Sequence, residues 1–462
     1  MEHTMHYDNI GRPAHQRVCH NGQTLYDKSY TWGDLRLLRT FDTINGGSVR
    51  YDYDAFDSLS GAVFGDSSRQ WRNPDLMGNV YDSPDRTDRS YGRGGQLRED
   101  RKWRYYYDSH GNLVLKTMRS SGLSLETGMR DEFLAWQSGD YAYTWQSNGM
   151  LRSVTRPDGK TVTFRYDALG RRIEKVFDGR VYRCLWDGDV ILHEWEYAET
   201  GEITLDRPEP VENLITWVYD SDSYVPTAKI VGDKHYSIIS DYIGRPVQAY
   251  DDNGNIIWQA DYDIYGNLRN LHGSRQFIPF RQLGQYEDEE IGLYYNRFRY
   301  YDSRIGNYIC QDPIRLAGNN PTLYGYVEDC NKLFDLFGLD CKANKKQGTL
   351  AEDKIYNDLL HNSDVIVLGR QVYIKTPGIG RGRYSDVLIQ SKKTGKIINV
   401  EIKSGGAVRS TSQIKKDILI NSGGGVFGKN APLDMNGKPL ADMKTSNVTS
   451  SVRNVPLWEI NM

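Results

Sequence analysis

No stretch of the 462 residues approaches the roughly 18 uncharged apolar residues that a membrane helix requires, which argues against a helical membrane protein. The segment from Met1 to Cys19 is polar, carries His3, His6 and His15, and lacks the apolar core of a signal peptide. Sec-type export is therefore not expected, although specialised secretion machines need no such signal. Cysteine is scarce: Cys19, Cys184, Cys310, Cys330 and Cys341 lie far apart without metal-ligand spacing, so neither a structural zinc site nor a disulfide framework is supported. Residues 341–462 contain a single histidine, His361, which leaves little basis for HNH or two-histidine ribonuclease chemistry. No serine elbow or zinc-deaminase pattern is present. The glycine runs after Ser404 and Ser422 lack the Gly-Lys-Ser/Thr ending of a nucleotide-binding loop and read as turns.

What is abundant is equally informative. The chain holds 33 Tyr and 45 Gly, the latter well above the roughly 7% usual for soluble proteins. That combination favours many short strands joined by tight turns. The net charge of -3 conceals a division. Residues 341–462 hold 19 Lys and Arg against 10 Asp and Glu, net +9, and the preceding residues hold the other 39 and 51, net -12. An acidic body and a basic tail meet different partners, and the tail is the candidate for a phosphate-bearing polymer.

The body is repetitive. Tyr7-Asp8-Asn9-Ile10-Gly11-Arg12 recurs at Tyr107 to Asn112, at Tyr166 to Arg171 and at Tyr262 to Asn267, with weaker copies at Tyr53 to Asp57 and Asp241 to Arg245. An aromatic closes a strand, Asp caps the turn by accepting backbone N–H groups, and Gly takes the positive-φ position. One hairpin cannot bury its apolar face, so neighbours must stack into a continuous sheet. The irregular spacing argues against a propeller of equal blades.

This array resembles the Tyr-Asp repeat, or Rhs, family. The most specific stretch is Gly292-Leu293-Tyr294-Tyr295-Asn296-Arg297-Phe298-Arg299-Tyr300-Tyr301-Asp302, followed by Gln311-Asp312-Pro313-Ile314 and Tyr324-Gly325-Tyr326-Val327. It is similar to the Rhs-associated core that ends such arrays, so residues 1–290 read as repeat shell and 291–340 as core. The resemblance implies a mainly β shell, a spiralling antiparallel sheet, ahead of a variable C-terminal toxin. It also implies synthesis in a bacterial cytoplasm, a delivery apparatus, action in a target cell and a cognate immunity protein. Opposite a net +9 tail, that immunity protein is expected to be acidic. Members also cut themselves at the end of the core with paired aspartates. Here the matching residues are Asp312 and Asp335, and the implied bond is Leu339–Asp340. Leu336 and Phe337 depart from the family's Pro and Leu, as Asn307 and Arg315 do from its Arg and Gly.

In the tail, residues 341–348 read as a linker. A helix is predicted from Thr349 to Leu360, with Thr349 as N-cap and Glu352 completing a capping box. Strands are predicted at Ser363 to Leu368, Gln371 to Lys375, Tyr384 to Ile389 and Lys396 to Lys403, then a helix around Gln413 to Ile420. This order gives a small α/β layer with one face of the sheet covered. A turn at Thr394-Gly395 closes a hairpin that brings Asp386 near Glu401. Glu401 and Lys403 project to one side of their strand, and Ile402 packs into the core. Two carboxylates with the Ile402 carbonyl make an all-oxygen site suited to Mg²⁺ or Mn²⁺. Lys403 is placed to orient a water or neutralise a phosphate, and Arg381, Arg383, Lys392, Lys393, Lys415 and Lys416 to attract a polyanion.

This set is similar to the PD-(D/E)xK, restriction-endonuclease-like nucleases. That resemblance implies Asp386, Glu401 and Lys403 as the catalytic core, Glu352 as the acidic residue of the first helix, and Gln413 as a helix-borne partner; Ser385 stands where the motif has Pro. A DNA-cleaving toxin is the expected function. An RNA- or tRNA-cleaving toxin of the same fold, a non-enzymatic nucleic-acid binder and a purely structural repeat protein are the alternatives. On the bland alternative, Asp386, Glu401 and Lys403 form only an exposed cross-strand ion pair.

Overall fold

The computed structural model describes residues 2–8, 12–33, 36–55, 58–119, 135–199, 208–220, 223–315, 322–339, 354–379, 382–404 and 411–455. Two compact units are distinguished, residues 1–5 with 15–343, and residues 6–14 with 344–462.

Residues 2–71 form a seven-stranded sheet and residues 90–272 a sixteen-stranded one, each with its strands in sequence order. The repeated turns explain this regularity. At Asp167 one carboxylate oxygen accepts the N–H of Leu169 at 2.9 Å and of Arg171 at 2.8 Å. The other accepts Nε of Arg171 at 2.6 Å. Asp108, Asp241 and Asp263 repeat the pattern with Asn112, Arg245 and Asn267. The capping role expected of Asp is therefore present. The residue after the glycine returns its side chain to the same carboxylate, a part of the motif that the sequence reading did not include. Asp75, with Met77 and Asn79, is a further copy that the reading passed over. At three of the units the tyrosine before the Asp ties neighbouring hairpins together. Tyr53, Tyr166 and Tyr262 donate their hydroxyls to the carbonyls of Leu37, Leu151 and Pro246 at 3.0, 2.9 and 2.6 Å.

A four-stranded sheet, Tyr286–Asp288, Leu293–Asn296, Arg299–Asp302 and Asn307–Tyr308, packs against both larger sheets. Because side chains alternate along a strand, the doubled tyrosines face opposite ways. Tyr295 and its cross-strand partner Tyr300 join Leu113, Val154 and Phe164 of the sixteen-stranded sheet. Tyr294 and Tyr301 join Leu59, Ala62 and Phe64 of the seven-stranded one. The tyrosine hydroxyls of this region also reach the repeat turns. Tyr324, Tyr295 and Tyr294 donate to the carbonyls of Gly111, Gly170 and Gly266 at 2.7, 3.2 and 3.0 Å. Gly170 has φ +73°, and a Cβ there would lie 2.6 Å from the Phe298 ring, so this turn needs glycine for two reasons. Buried ion pairs add to the anchoring: Lys116 to Asp302 at 3.1 Å, Lys175 to Asp288 at 3.2 Å, and Arg172 to Asp288.

The second unit holds a five-stranded sheet in the order Val426–Phe427, Val365–Lys375, Arg383–Ser391, Ile397–Ser404, Val448–Val455. Its last strand, in a stretch the sequence reading could not place, runs parallel to Ile397–Ser404. Two expectations are corrected. The separate strands predicted at 363–368 and 371–375 are one strand, Val365–Lys375, which bends through Gln371 at φ +50°. Both faces of the sheet are covered, not one. A helix at 354–360 places Ile355 and Leu359 against Val387, Ile389, Val400 and Ile402. The helix Thr411–Asn421 places Ile420 against Val372, Ile374 and Leu388 on the other side.

Candidate functional site

In the tail, Gly395 at φ +68° closes the hairpin, which then pairs from Gln390 opposite Ile397 to Val387 opposite Val400. Asp386 and Glu401 are the next residues beyond the last pair, one on each strand. The Asp386 Oδ2 accepts the N–H of Ile402 at 2.7 Å, so its carboxylate sits at the peptide that follows Glu401. Ile402 itself is in the core, as its alternation with Glu401 required.

At this point the strand alternation reverses. Val387 and Ile389 pack with the helix at 354–360, yet Arg383, which a regular strand would place on that same face, turns to the helix Thr411–Asn421. Across the ladder, Gln371 with its positive φ falls between the pairs Arg370–Val387 and Val372–Ser385. The register is unbroken there, but the positive φ takes the backbone of Gln371 out of the extended region, which turns the strand and its side chains. Arg383 Nη2 lies 2.7 Å from Glu401 Oε2, and its Nε lies 3.0 Å from Asp417 Oδ1. Gln413 Nε2 donates to Glu401 Oε1 at 3.0 Å. Arg383, Glu401 and Asp417 are all at most 5% exposed.

The structure thus brings together Asp386, Glu401 and Gln413 of the expected set. Arg383 is a correction: expected among the surface cations that attract a polyanion, it is buried between two carboxylates. Lys392 and Lys393 are exposed at the hairpin turn, six and seven residues from Asp386, or roughly 20 Å at about 3.3 Å per residue. Lys415 is exposed and Lys416 half-buried on the helix that carries Gln413. Glu352, Arg381, Asp340 and the side chain of Lys403 lie outside the described residues. Asp417 was missed; its signal was the spacing of four from Gln413, which puts both on one face of a helix.

The donor chemistry fits a hard divalent cation. Mg²⁺ commonly takes one or two carboxylates and completes its shell with water and substrate phosphate oxygens. Glu401 already faces a cation, the guanidinium of Arg383. Among the described residues, no group of three or more His, Cys, Asp or Glu forms a ready metal cage.

A second constellation closes the shell. Arg299, fully buried, places one nitrogen, Nη2, 3.0 Å from Asp312 Oδ2 and 3.1 Å from Asp335 Oδ2. The two aspartates, 23 positions apart in sequence, therefore share one guanidinium. Tyr308 donates its hydroxyl to Asp335 Oδ2 at 2.8 Å, and its ring lies 3.7 Å under the guanidinium of Arg299. Burial and the Asp335 charge push the Tyr308 hydroxyl well above its ordinary pKa, so it stays a donor. Asn296 Nδ2 donates to Tyr308 Oη at 2.6 Å and to the Asp335 carbonyl at 2.8 Å. Asp335 Oδ1 accepts the N–H of Leu339 at 3.1 Å, which holds the residue just before the implied bond. Gly338, at φ +65°, brings the chain so close to Asn296 that a Cβ would lie 2.5 Å from its carbonyl oxygen.

Residues 1–322 match the family model described as Teneurin YD-shell. The chain belongs to this family. Among characterised relatives, this YD-shell chain is 32% identical over 253 residues to the probable deoxyribonuclease RhsB of Dickeya dadantii, covering 54% of this chain and 16% of that one. It is 30% identical over 369 residues to the double-stranded DNA deaminase toxin A of Burkholderia cenocepacia, covering 72% and 24%. It thus spans between about a sixth and a quarter of these relatives. The Photorhabdus luminescens Tc holotoxin pore aligns with 73% of the YD-shell chain and 20% of its own, at 16% identity and a TM-score of 0.41.

Proposed function

We propose that this YD-shell protein carries a toxin tail that hydrolyses phosphodiester bonds of DNA with the help of a divalent cation. The observation that supports this best is the meeting of Asp386 and Glu401 at one hairpin end, with the Asp386 carboxylate 2.7 Å from the Ile402 N–H. Relatives that share the shell are named for different chemistries, a deoxyribonuclease and a DNA deaminase, so the tail's own residues must decide the reaction. Asp386, Glu401 and the Ile402 carbonyl would hold Mg²⁺ or Mn²⁺, which supplies an activated water and neutralises phosphoryl charge. Gln413 fixes one Glu401 oxygen and so limits its rotamers. Lys403, two residues along the strand from Glu401, would neutralise the scissile phosphate, and Lys415 and Lys416 would attract the backbone. Glu352 would contribute from the first helix. Delivery by a secretion apparatus into a target cell, and an acidic immunity protein in the producer, complete the reading.

The test is cleavage of plasmid and of RNA by the full chain, each with Mg²⁺ or EDTA. Plasmid cleavage that is lost in EDTA and in Asp386→Asn is the expected result. Cleavage that persists in EDTA ends the metal mechanism, and cleavage of RNA alone moves the substrate.

A second activity is favoured by the shared guanidinium of Arg299. We infer self-cleavage at Leu339–Asp340 by Asp312 and Asp335. The pair would hold one proton between them: the ionised carboxylate accepts a proton from the attacking water, and the protonated one gives its proton to the departing amide nitrogen of Asp340. Mass spectrometry of the purified chain should find a fragment ending at Leu339 that Asp335→Asn abolishes. An intact wild-type chain would dispose of the idea.

A further inference from the structure

Resting on the metal reading of the tail, we propose that Arg383 is a resident counter-ion for Glu401, and that Asp417 takes it over when a divalent cation binds. Asp417 is then a positioning residue for the metal site.

The reasoning begins with charge. Glu401 and Asp417 are both buried, and among the described residues Arg383 is a cation that reaches both, through Nη2 at 2.7 Å and Nε at 3.0 Å. A buried carboxylate needs a counter-charge, and so does a buried guanidinium. A cation arriving at Glu401 displaces Arg383 from Oε2. Without a second partner the guanidinium would be left buried and unpaired, and that penalty would count against the incoming ion. Asp417 removes the penalty. Nε and Nη2 form the edge of the guanidinium that binds a single carboxylate through two parallel hydrogen bonds, so one carboxylate can hold both nitrogens after the exchange. Meanwhile Gln413 retains Glu401 Oε1 at 3.0 Å and keeps the carboxylate in place while its other oxygen changes partner. Gln413 and Asp417, four apart on Thr411–Asn421, divide the work: one holds the ligand and the other receives the ion it releases.

The test is Mg²⁺ binding to the full chain by calorimetry, with Glu401→Gln as the control that assigns the heat to this site. Asp417→Asn leaves Arg383 committed to Glu401, and its dissociation constant for Mg²⁺ should rise about tenfold. Arg383→Met removes the competing cation, so Mg²⁺ should bind more tightly and raise the melting temperature by more than in the wild type. A purely through-space effect of the Asp417 charge would persist without Arg383. The double variant therefore decides the route: in the Arg383→Met background, Asp417→Asn should change affinity less than twofold. If Asp417→Asn does not fold, Arg383→Met with an Mg²⁺-induced melting shift equal to the wild type's overturns the proposal. Wild-type affinity in Asp417→Asn, or a tenfold loss that survives in the double variant, overturns it too. A wild type that binds no Mg²⁺ at Glu401 overturns the metal reading and this proposal together. Wild-type binding with unaltered Asp417→Asn affinity overturns the proposal alone.

Discussion

Replacing Arg299 with Met tests the shell-end site most directly. The side chain is fully buried, and its Nη2 lies 3.0 Å from Asp312 and 3.1 Å from Asp335, both nearly inaccessible to water. Its Nε donates to the Gly338 carbonyl. Methionine fills much of the volume but removes the guanidinium that the two buried carboxylates share. Breaking a buried ion pair from one side typically costs about 3–5 kcal/mol. Urea unfolding of the full chain, followed by tryptophan fluorescence, should show a loss of that size. Self-cleavage should be lost with it. The triple variant Arg299→Met, Asp312→Asn, Asp335→Asn carries no uncompensated charge, and should regain most of the stability while staying uncleaved. Tyr308→Phe removes a hydrogen bond to a charged acceptor, about 1.5–3 kcal/mol, together with the one its hydroxyl accepts from Asn296, and keeps the ring beneath the guanidinium. An Arg299→Met chain within about 1 kcal/mol of wild type, or a triple variant no better than the single one, would refute the view that one guanidinium holds the two aspartates together.

Two further outcomes follow from the same packing. Lys229 is buried beside Phe277 and Trp217, and desolvation lowers its pKa to about 8. Because the folded value lies below the unfolded one, the unfolded chain binds more protons between pH 8 and 10.5, and stability should rise with pH across that window. The full effect is about 3 kcal/mol, read as the difference between wild type and Lys229→Met in urea melts from pH 7.5 to 9.5; parallel curves would exclude it. Gly338→Ala places a Cβ against the Asn296 carbonyl in a backbone conformation that alanine resists. It should cost about 1–3 kcal/mol and slow cleavage at Leu339 at least tenfold, measured by gel densitometry over time.

Much of this molecule is legible from neighbouring residues alone. The Tyr-Asp-x-x-Gly turn is a five-residue device. Its aspartate, glycine and returning Asn or Arg satisfy one another within four positions, so turns such as Asp167 to Arg171 can be read without a fold. Strand alternation likewise predicts that Ile402 packs inward beside Glu401, because the period of two is a property of the extended backbone. The register that carries the two strands toward Asp386 and Glu401, with Val387 opposite Val400, needs only the Thr394-Gly395 turn between them.

What tertiary structure decided is everything that joins distant segments. The tyrosines of 294–324 donate to the glycine carbonyls of turns up to 213 positions away, and no local pattern states which hydroxyl meets which turn. The burial of Arg383 depends on the reversal opposite Gln371 and on a helix that begins 28 residues later. Sequence therefore singled out a pair of aspartates and a pair of strand-borne acids as candidates. The fold alone chose their counter-ions, because a buried charge is stabilised by whichever partner packing brings within reach, whatever its place in the chain.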